Sequence, residues 1–264
     1  RIIRGERGRE VVGRVVLVSM GGYVSAPAVQ AARAERCPVA MVNLDAVPGL
    51  ANRWIARRAD DRFAVGAAPG APRGLTWTTI PPIVRRAIRD APPAPAARER
   101  LGLDPQAPTL LVTGGSQGAR TINALMLDLV LDRPGLLHAW QVLHQCGAGD
   151  PDAIARAYTD AGVPALVTPS IEEMGLAWSA ADAALGRAGA GTVAEAWATA
   201  TPTLFLPYPY HADEHQRRNA EPLVACGGAM LGSDLIDPEK NLVAHAPALS
   251  DLLGDAGRRA RMRK

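Results

Sequence analysis

Between Thr109 and Leu231 short apolar runs alternate with helix-patterned segments, and this alternation constrains the fold more than any other feature of the chain. Strand candidates fall at residues 109–113, 140–144, 165–168, 183–185, 203–206 and 229–231. Helix candidates fall at 120–131, 152–161, 172–180, 192–200 and 214–225. Runs this short and this uniformly apolar suit strands buried on both faces, so the pattern predicts a parallel sheet covered by helices, a Rossmann-like α/β domain. Upstream, a β-branched run at 15–18, a glycine turn at 19–22 and a helix over 27–36 begin the same pattern. A strand candidate at 38–42 and a helix candidate at 50–58 follow. Too few strand candidates precede residue 93 for a comparable sheet, so the first half is expected to be the latter part of a similar, incomplete domain. A proline cluster at 91–96, beyond a short basic helix at 83–89, reads as an interdomain linker and sets the expected division at 1–93 and 94–264.

The 264 residues suit two domains, and 48% hydrophobic with 21% charged residues argue against collagen, coiled coil or wholesale disorder. No stretch approaches the roughly 20 uninterrupted apolar residues of a spanning helix. A net charge of +3 with only 4% aromatic residues is a poor signature for nucleic-acid binding. Arg1, Arg4, Arg7, Arg9 and Arg14 cluster at one end, and Arg258, Arg259, Arg261, Arg263 and Lys264 at the other. They read either as solvated helix faces or as a surface for anionic partners. Cys37, Cys146 and Cys226 lack metal-ligand spacing and fit a reducing cytosol. The chain begins at Arg1 without a signal-peptide core, as an excised piece would.

Three loops at the ends of strand candidates carry the functional signal. Thr113-Gly114-Gly115-Ser116-Gln117-Gly118-Ala119 opens a helix, where backbone N–H groups and the positive helix end can face an anion. It lacks the spacing of the dinucleotide fingerprint and the Lys-Ser/Thr of a P-loop, so a tight structural turn and an anion site both stay open. Gly186-Arg187-Ala188-Gly189-Ala190-Gly191-Thr192 makes a second such turn, with Glu195 close behind. Glu195 could favour the helix start by its charge, or accept two hydrogen bonds from the vicinal hydroxyls of a ribose. The third loop, from Pro207 through His211, Asp213, His215 and Gln216, could read sugar hydroxyls or serve as a proline-stiffened loop with a helix cap at Asp213.

With these loops in order, the sequence resembles the MurG family of bacterial transferases, in glycosyltransferase family 28. The matching strings are Gly21-Gly22-Tyr23-Val24-Ser25-Ala26-Pro27, Ala46-Val47-Pro48-Gly49-Leu50-Ala51-Asn52-Arg53, and residues 114–119, 187–195 and 207–219. The resemblance implies a GT-B fold of two Rossmann-like domains, the second holding UDP-N-acetylglucosamine and the first a lipid-linked muramoyl-pentapeptide acceptor. It implies that Ser116 contacts the diphosphate or nearby sugar, that Ile171 lines the uracil pocket, and that Ala190, Gly191 and Thr192 supply helix-start amides beside Arg187. Glu195 would hold the ribose, Gln216 with His215 would read the sugar, and Arg85 would stand near the diphosphate. The implied reaction is an inverting displacement at the anomeric carbon that forms the disaccharide lipid of peptidoglycan synthesis. It needs no cofactor or metal, and it takes place at an anionic membrane surface on the cytoplasmic face of the inner membrane.

Two departures bear on catalysis. The family's glycine-rich loop ending in His would precede Arg1, and the family's His-Glu-Gln-Asn string reads Val42-Asn43-Leu44-Asp45 here. The catalytic base is therefore unassigned. Asp45, at the family's Asn, is a candidate substitute, with a turn-forming role as the alternative. A related transferase with a different sugar nucleotide or lipid acceptor, and a nucleotide-sugar-binding module without catalysis, are the competing readings.

Overall fold

A computed structural model describes residues 15–65, 72–115, 119–210 and 214–264. The chain divides into two compact units, Arg1–Pro82 and Ile83–Lys264, so the division falls ahead of the proline cluster.

In the first unit, β1 (Leu17–Ser19), α1 (Ser25–Ala34), β2 (Val39–Asn43), α2 (Leu50–Ala56), β3 (Asp61–Val65) and β4 (Thr78–Ile80) follow in order. Their strands form a four-stranded parallel sheet in the order β1-β2-β3-β4. The sheet is smaller than the six-stranded second one, as expected, but it has two strands, β3 and β4, that the sequence pattern did not mark. β3 begins Asp61-Arg62 and β4 is largely exposed, so neither shows the apolar run that marks a strand buried on both faces. The core of this unit is Val29, Ala32, Val39, Met41, Ile55 and Ala56, where α1 and α2 cover the sheet. A side-chain chain joins its two motif strings. Asn52 Oδ1 accepts from the Gly22 amide at 2.9 Å, Asn52 Nδ2 donates to Asn43 Oδ1 at 2.8 Å, and Asn43 Nδ2 donates to the Asp45 carbonyl.

The second unit opens with α3 (Arg86–Arg89) and α4 (Ala94–Arg100) and continues as β5 (Thr109–Thr113), α5 (Arg120–Asp132), β6 (Gln141–Gln145), α6 (Pro151–Asp160) and β7 (Ala165–Thr168). Then come α7 (Met174–Ala180), β8 (Ala183–Gly186), α8 (Ala190–Ala198), β9 (Thr203–Phe205), α9 (His215–Ala225), β10 (Ala229–Leu231), α10 (Pro238–Gly254) and α11 (Ala256–Met262). The proline cluster begins α4, because proline's fixed φ and missing N–H suit a first helical turn. Arg98 anchors that helix, donating to the Ala180 and Pro105 carbonyls at 3.0 Å each and to Asp182 at 2.6 Å.

All strands of the second sheet are parallel, in the order β10-β9-β8-β5-β6-β7. Successive side chains of a strand point to opposite faces, and the core divides accordingly. Leu110, Val112, Val142, Leu185 and Leu204 pack with Ile122, Leu129, Tyr158 and Leu249 of α5, α6 and α10. Leu111, Leu143, Ala184 and Phe205 pack on the other face with Ala177, Trp178, Val193, Ala220 and Leu223 of α7, α8 and α9. Each such fully buried large side chain contributes about 1.5–3 kcal/mol of transfer free energy.

Candidate active site

The strand order reverses between β5 and β8: the chain runs outward through β6 and β7, then returns to the far side of β5. In an open parallel sheet the loops at such a switch point diverge and leave a crevice at the carboxyl ends of the strands. The first two glycine loops follow β5 and β8, so the topology sets them side by side. The Arg187 amide bonds the Thr113 carbonyl at 3.3 Å, and the Leu206 amide bonds the Gly186 carbonyl at 2.9 Å, aligning the third loop with them. A Cβ on Gly186 would stand 2.7 Å from the Thr113 carbonyl oxygen, so the close approach of β5 and β8 requires glycine there. Gly115, at φ +76°, makes the left-handed turn after β5. Ser116, His211 and Asp213 lie outside the described residues.

Gly189 is the N-cap of α8 and provides no side-chain cap, and the first bond along the helix runs from the Val193 amide to the Gly189 carbonyl. The amides of Ala190, Gly191 and Thr192 thus head the helix without intrahelical acceptors, and aligned peptide dipoles add positive potential. Thr192 is half-buried and Gly191 exposed, a suitable setting for an anion.

Glu195 lies on the second turn of α8, too far along to cap it. Its Oε2 accepts from the buried Trp178 indole Nε1 at 2.8 Å, and its Oε1 accepts from Arg85 Nη2 at 3.2 Å. The Glu195 side chain is 15% exposed and that of Arg85 62%. The Trp178 bond fixes the carboxylate, whereas the exposed Arg85 contact is worth at most about 1 kcal/mol and can give way to a ligand. Ile171 is half-buried beside the core under α7. Gln216 Oε1 accepts from the Tyr208 amide at 2.9 Å, which orders the start of the third loop, and His215 begins α9 beside it.

Arg187, which the resemblance sets beside the helix-start amides, is held within the fold. Its side chain is only 9% exposed and is paired with Asp234 at 2.7 Å. Burial pushes the Asp234 carboxyl up, but hydrogen bonds from Thr121, Asn241, the Ile236 amide and Arg187 outweigh it and hold the group below its usual value. Trp178, Thr121 and Asp234 were not legible as partners: each lies on a different element from the residue it holds. Asp45, half-buried in the first unit, carries its backbone bond from Asn43. Among the described residues no cluster of three or more His, Cys, Asp or Glu could hold a metal ion.

Glycine loops at the switch point of a parallel α/β sheet, an uncapped helix start and a fixed carboxylate one turn further form a Rossmann-like site with the chemistry to receive an anion at the strand ends. The profile of the glycosyltransferase family 28 C-terminal domain matches residues 109–245, and the chain belongs to that family. It is 42% identical over 229 residues to the UDP-N-acetylglucosamine–N-acetylmuramyl-(pentapeptide) pyrophosphoryl-undecaprenol N-acetylglucosamine transferase of Frankia casuarinae, covering 85% of this chain and 60% of that protein. It is 41% identical over 254 residues to the enzyme of the same name from a Nocardioides species, covering 94% and 66%. The crystal structure of Acinetobacter baumannii MurG aligns with a TM-score of 0.65 and 26% identity over 94% of this chain and 68% of that one. The chain therefore spans about two thirds of these relatives or less, and it has the GT-B type of fold. No helix among the described residues is long and apolar enough to cross a membrane.

Proposed function

We propose that the chain is the donor-binding part of an inverting transferase that moves N-acetylglucosamine from UDP-N-acetylglucosamine to undecaprenyl-pyrophosphoryl-N-acetylmuramoyl-pentapeptide. One observation carries the reading: Glu195, held by Trp178 at 2.8 Å, stands on the same helix whose uncapped amides begin at Ala190. A nucleoside diphosphate needs an anion site and a diol acceptor about one helical turn apart, and α8 supplies both. Ala190, Gly191 and Thr192 receive the diphosphate, joined by Ser116 and by Arg85 once it leaves Glu195. Ile171 lines the uracil pocket, while Gln216 and His215 read the sugar hydroxyls. As the anomeric bond breaks, charge grows on the departing diphosphate, where fixed amides and a guanidinium stabilise it without a metal.

The acceptor hydroxyl also needs a base, which stays unassigned, with Asp45 as a candidate. The lipid-linked acceptor implies peripheral attachment at the cytoplasmic face of the bacterial inner membrane, with Arg1, Arg4, Arg7, Arg9 and Arg14 drawn to anionic headgroups at about 1 kcal/mol each.

The discriminating experiment compares UDP with 2′-deoxy-UDP by calorimetry. The wild-type chain is expected to prefer UDP, and Glu195→Ala to lose that preference with about 1.5–3 kcal/mol of UDP affinity. An unchanged preference in a folded Glu195→Ala variant contradicts the ribose role.

A further inference from the structure

Arg187 and Asp234 form a buried strut between the glycine loops. Arg187 Nη1 donates to the carbonyls of Leu206 and Pro207 at 2.8 and 3.2 Å, and Nη2 donates to Thr121 Oγ1 at 2.8 Å. Thr121 Oγ1 donates to Asp234 Oδ2 at 2.5 Å, while Asn241 Nδ2 and the Ile236 amide donate to Asp234 Oδ1 at 2.9 and 2.8 Å. One guanidinium thus connects the loop after β8, the end of β9, the first turn of α5 and the connection from β10 to α10. The Tyr208 ring lies 5.6 Å from the same guanidinium, and the Tyr208 amide is the group that holds Gln216.

With side chains 9% and 1% exposed, Arg187 and Asp234 have little surface to offer a ligand. A hollow of about 190 Å³, lined by Pro207, Tyr208, Pro209, Glu214, Arg217 and Asp234, adjoins the third loop.

We propose that Asp234 and Arg187 are positioning residues for the sugar end of the donor. They fix the segment beginning at Pro207, and with it Gln216, against the α8 amides, and so set the preference for a nucleotide sugar over the bare nucleoside diphosphate. The inference rests on the donor reading above and deepens it. Its selectivity follows from where the bonds go: the Arg187 side chain reaches residues 121, 206, 207 and 234, whereas the uridine end is held by Glu195, Trp178 and Ile171.

Calorimetry on the full chain with UDP-N-acetylglucosamine, UDP and uridine tests it, using wild type, Asp234→Asn and Arg187→Lys, with thermal melts to confirm folding. Both variants are expected to lose about tenfold in affinity for UDP-N-acetylglucosamine while UDP and uridine change less than about threefold. Should Asp234→Asn fail to fold, Arg187→Lys, which keeps a charge opposite Asp234, decides. Folded variants with the wild-type ratio of UDP-N-acetylglucosamine to UDP affinity overturn the inference. So does a loss shared equally by all three ligands, the mark of a merely structural role. A wild-type chain that binds none of the ligands overturns the donor reading itself, a result distinct from an unaltered ratio.

Discussion

His144 shows how one residue can make the second unit sensitive to acid. Its ring is fully buried, with Nδ1 3.0 Å from the Tyr158 hydroxyl and Nε2 3.1 Å from Asn123 Oδ1. The Asn123 amide nitrogen is already donated to the Cys146 carbonyl at 2.9 Å. Its oxygen therefore accepts from Nε2–H, and Tyr158 donates to Nδ1, so the bonds suit a neutral imidazole. Burial lowers the His144 pKa from 6.5 to about 4. The unfolded chain takes up this proton near pH 6.5 while the folded one resists until about pH 4, so stability falls as pH falls through that window. The difference, 6.5 − 4, corresponds to about 3 kcal/mol at most. Urea unfolding of wild type and His144→Asn between pH 4 and 7 is expected to show a component of this size that the variant lacks; equal pH slopes contradict it. The histidine is plain in the sequence, but its partners stand 14 and 21 residues away, and no local pattern shows that they converge.

At the scale of elements, helix approach is controlled by single atoms. A Cβ on Gly175 of α7 would stand 2.0 Å from the Ala87 carbonyl oxygen in α3. Gly175→Ala is therefore expected to push α3 outward and cost about 1–3 kcal/mol. Because α3 follows directly on Arg85, the Arg85–Glu195 contact should loosen as well; a melting temperature equal to wild type contradicts this close approach. Arg98→Met, which leaves Asp182 without its 2.6 Å partner, is expected to cost about 3 kcal/mol in urea unfolding. An unchanged urea midpoint contradicts the anchoring of α4. The same elements show what was legible. Strands β5, β7 and β10 fall at the residues their apolar runs indicate; β5 is buried along its whole length, and the edge strands β7 and β10, only partly buried, keep the same short apolar runs. By contrast, α10 carries the helix-start signature Asp237-Pro238-Glu239, but an internal Pro247 interrupts its pattern. α4 hides within a proline cluster that composition alone reads as linker. The loops of the site were legible because glycine, proline and acidic residues sit at strand ends. The supporting partners Trp178, Thr121 and Asp234 were not, since their roles arise from packing across elements.

For the whole molecule, membrane attachment and donor binding call for separate experiments. If the arginines near Arg1 meet anionic headgroups, the full chain should sediment with vesicles containing phosphatidylglycerol, stay in solution with neutral ones, and be released by salt. Equal failure with both vesicle types contradicts the attachment. The central claim is that the second unit of this family 28 chain binds a nucleotide sugar at the switch point of its sheet, and titration of the full chain with UDP-N-acetylglucosamine tests it most directly. One-to-one heat that excess UDP abolishes, and that is weakened by Glu195→Ala, is the predicted result. The absence of heat from a folded chain at ligand concentrations well above the protein, with no rise in melting temperature on adding UDP, would contradict it.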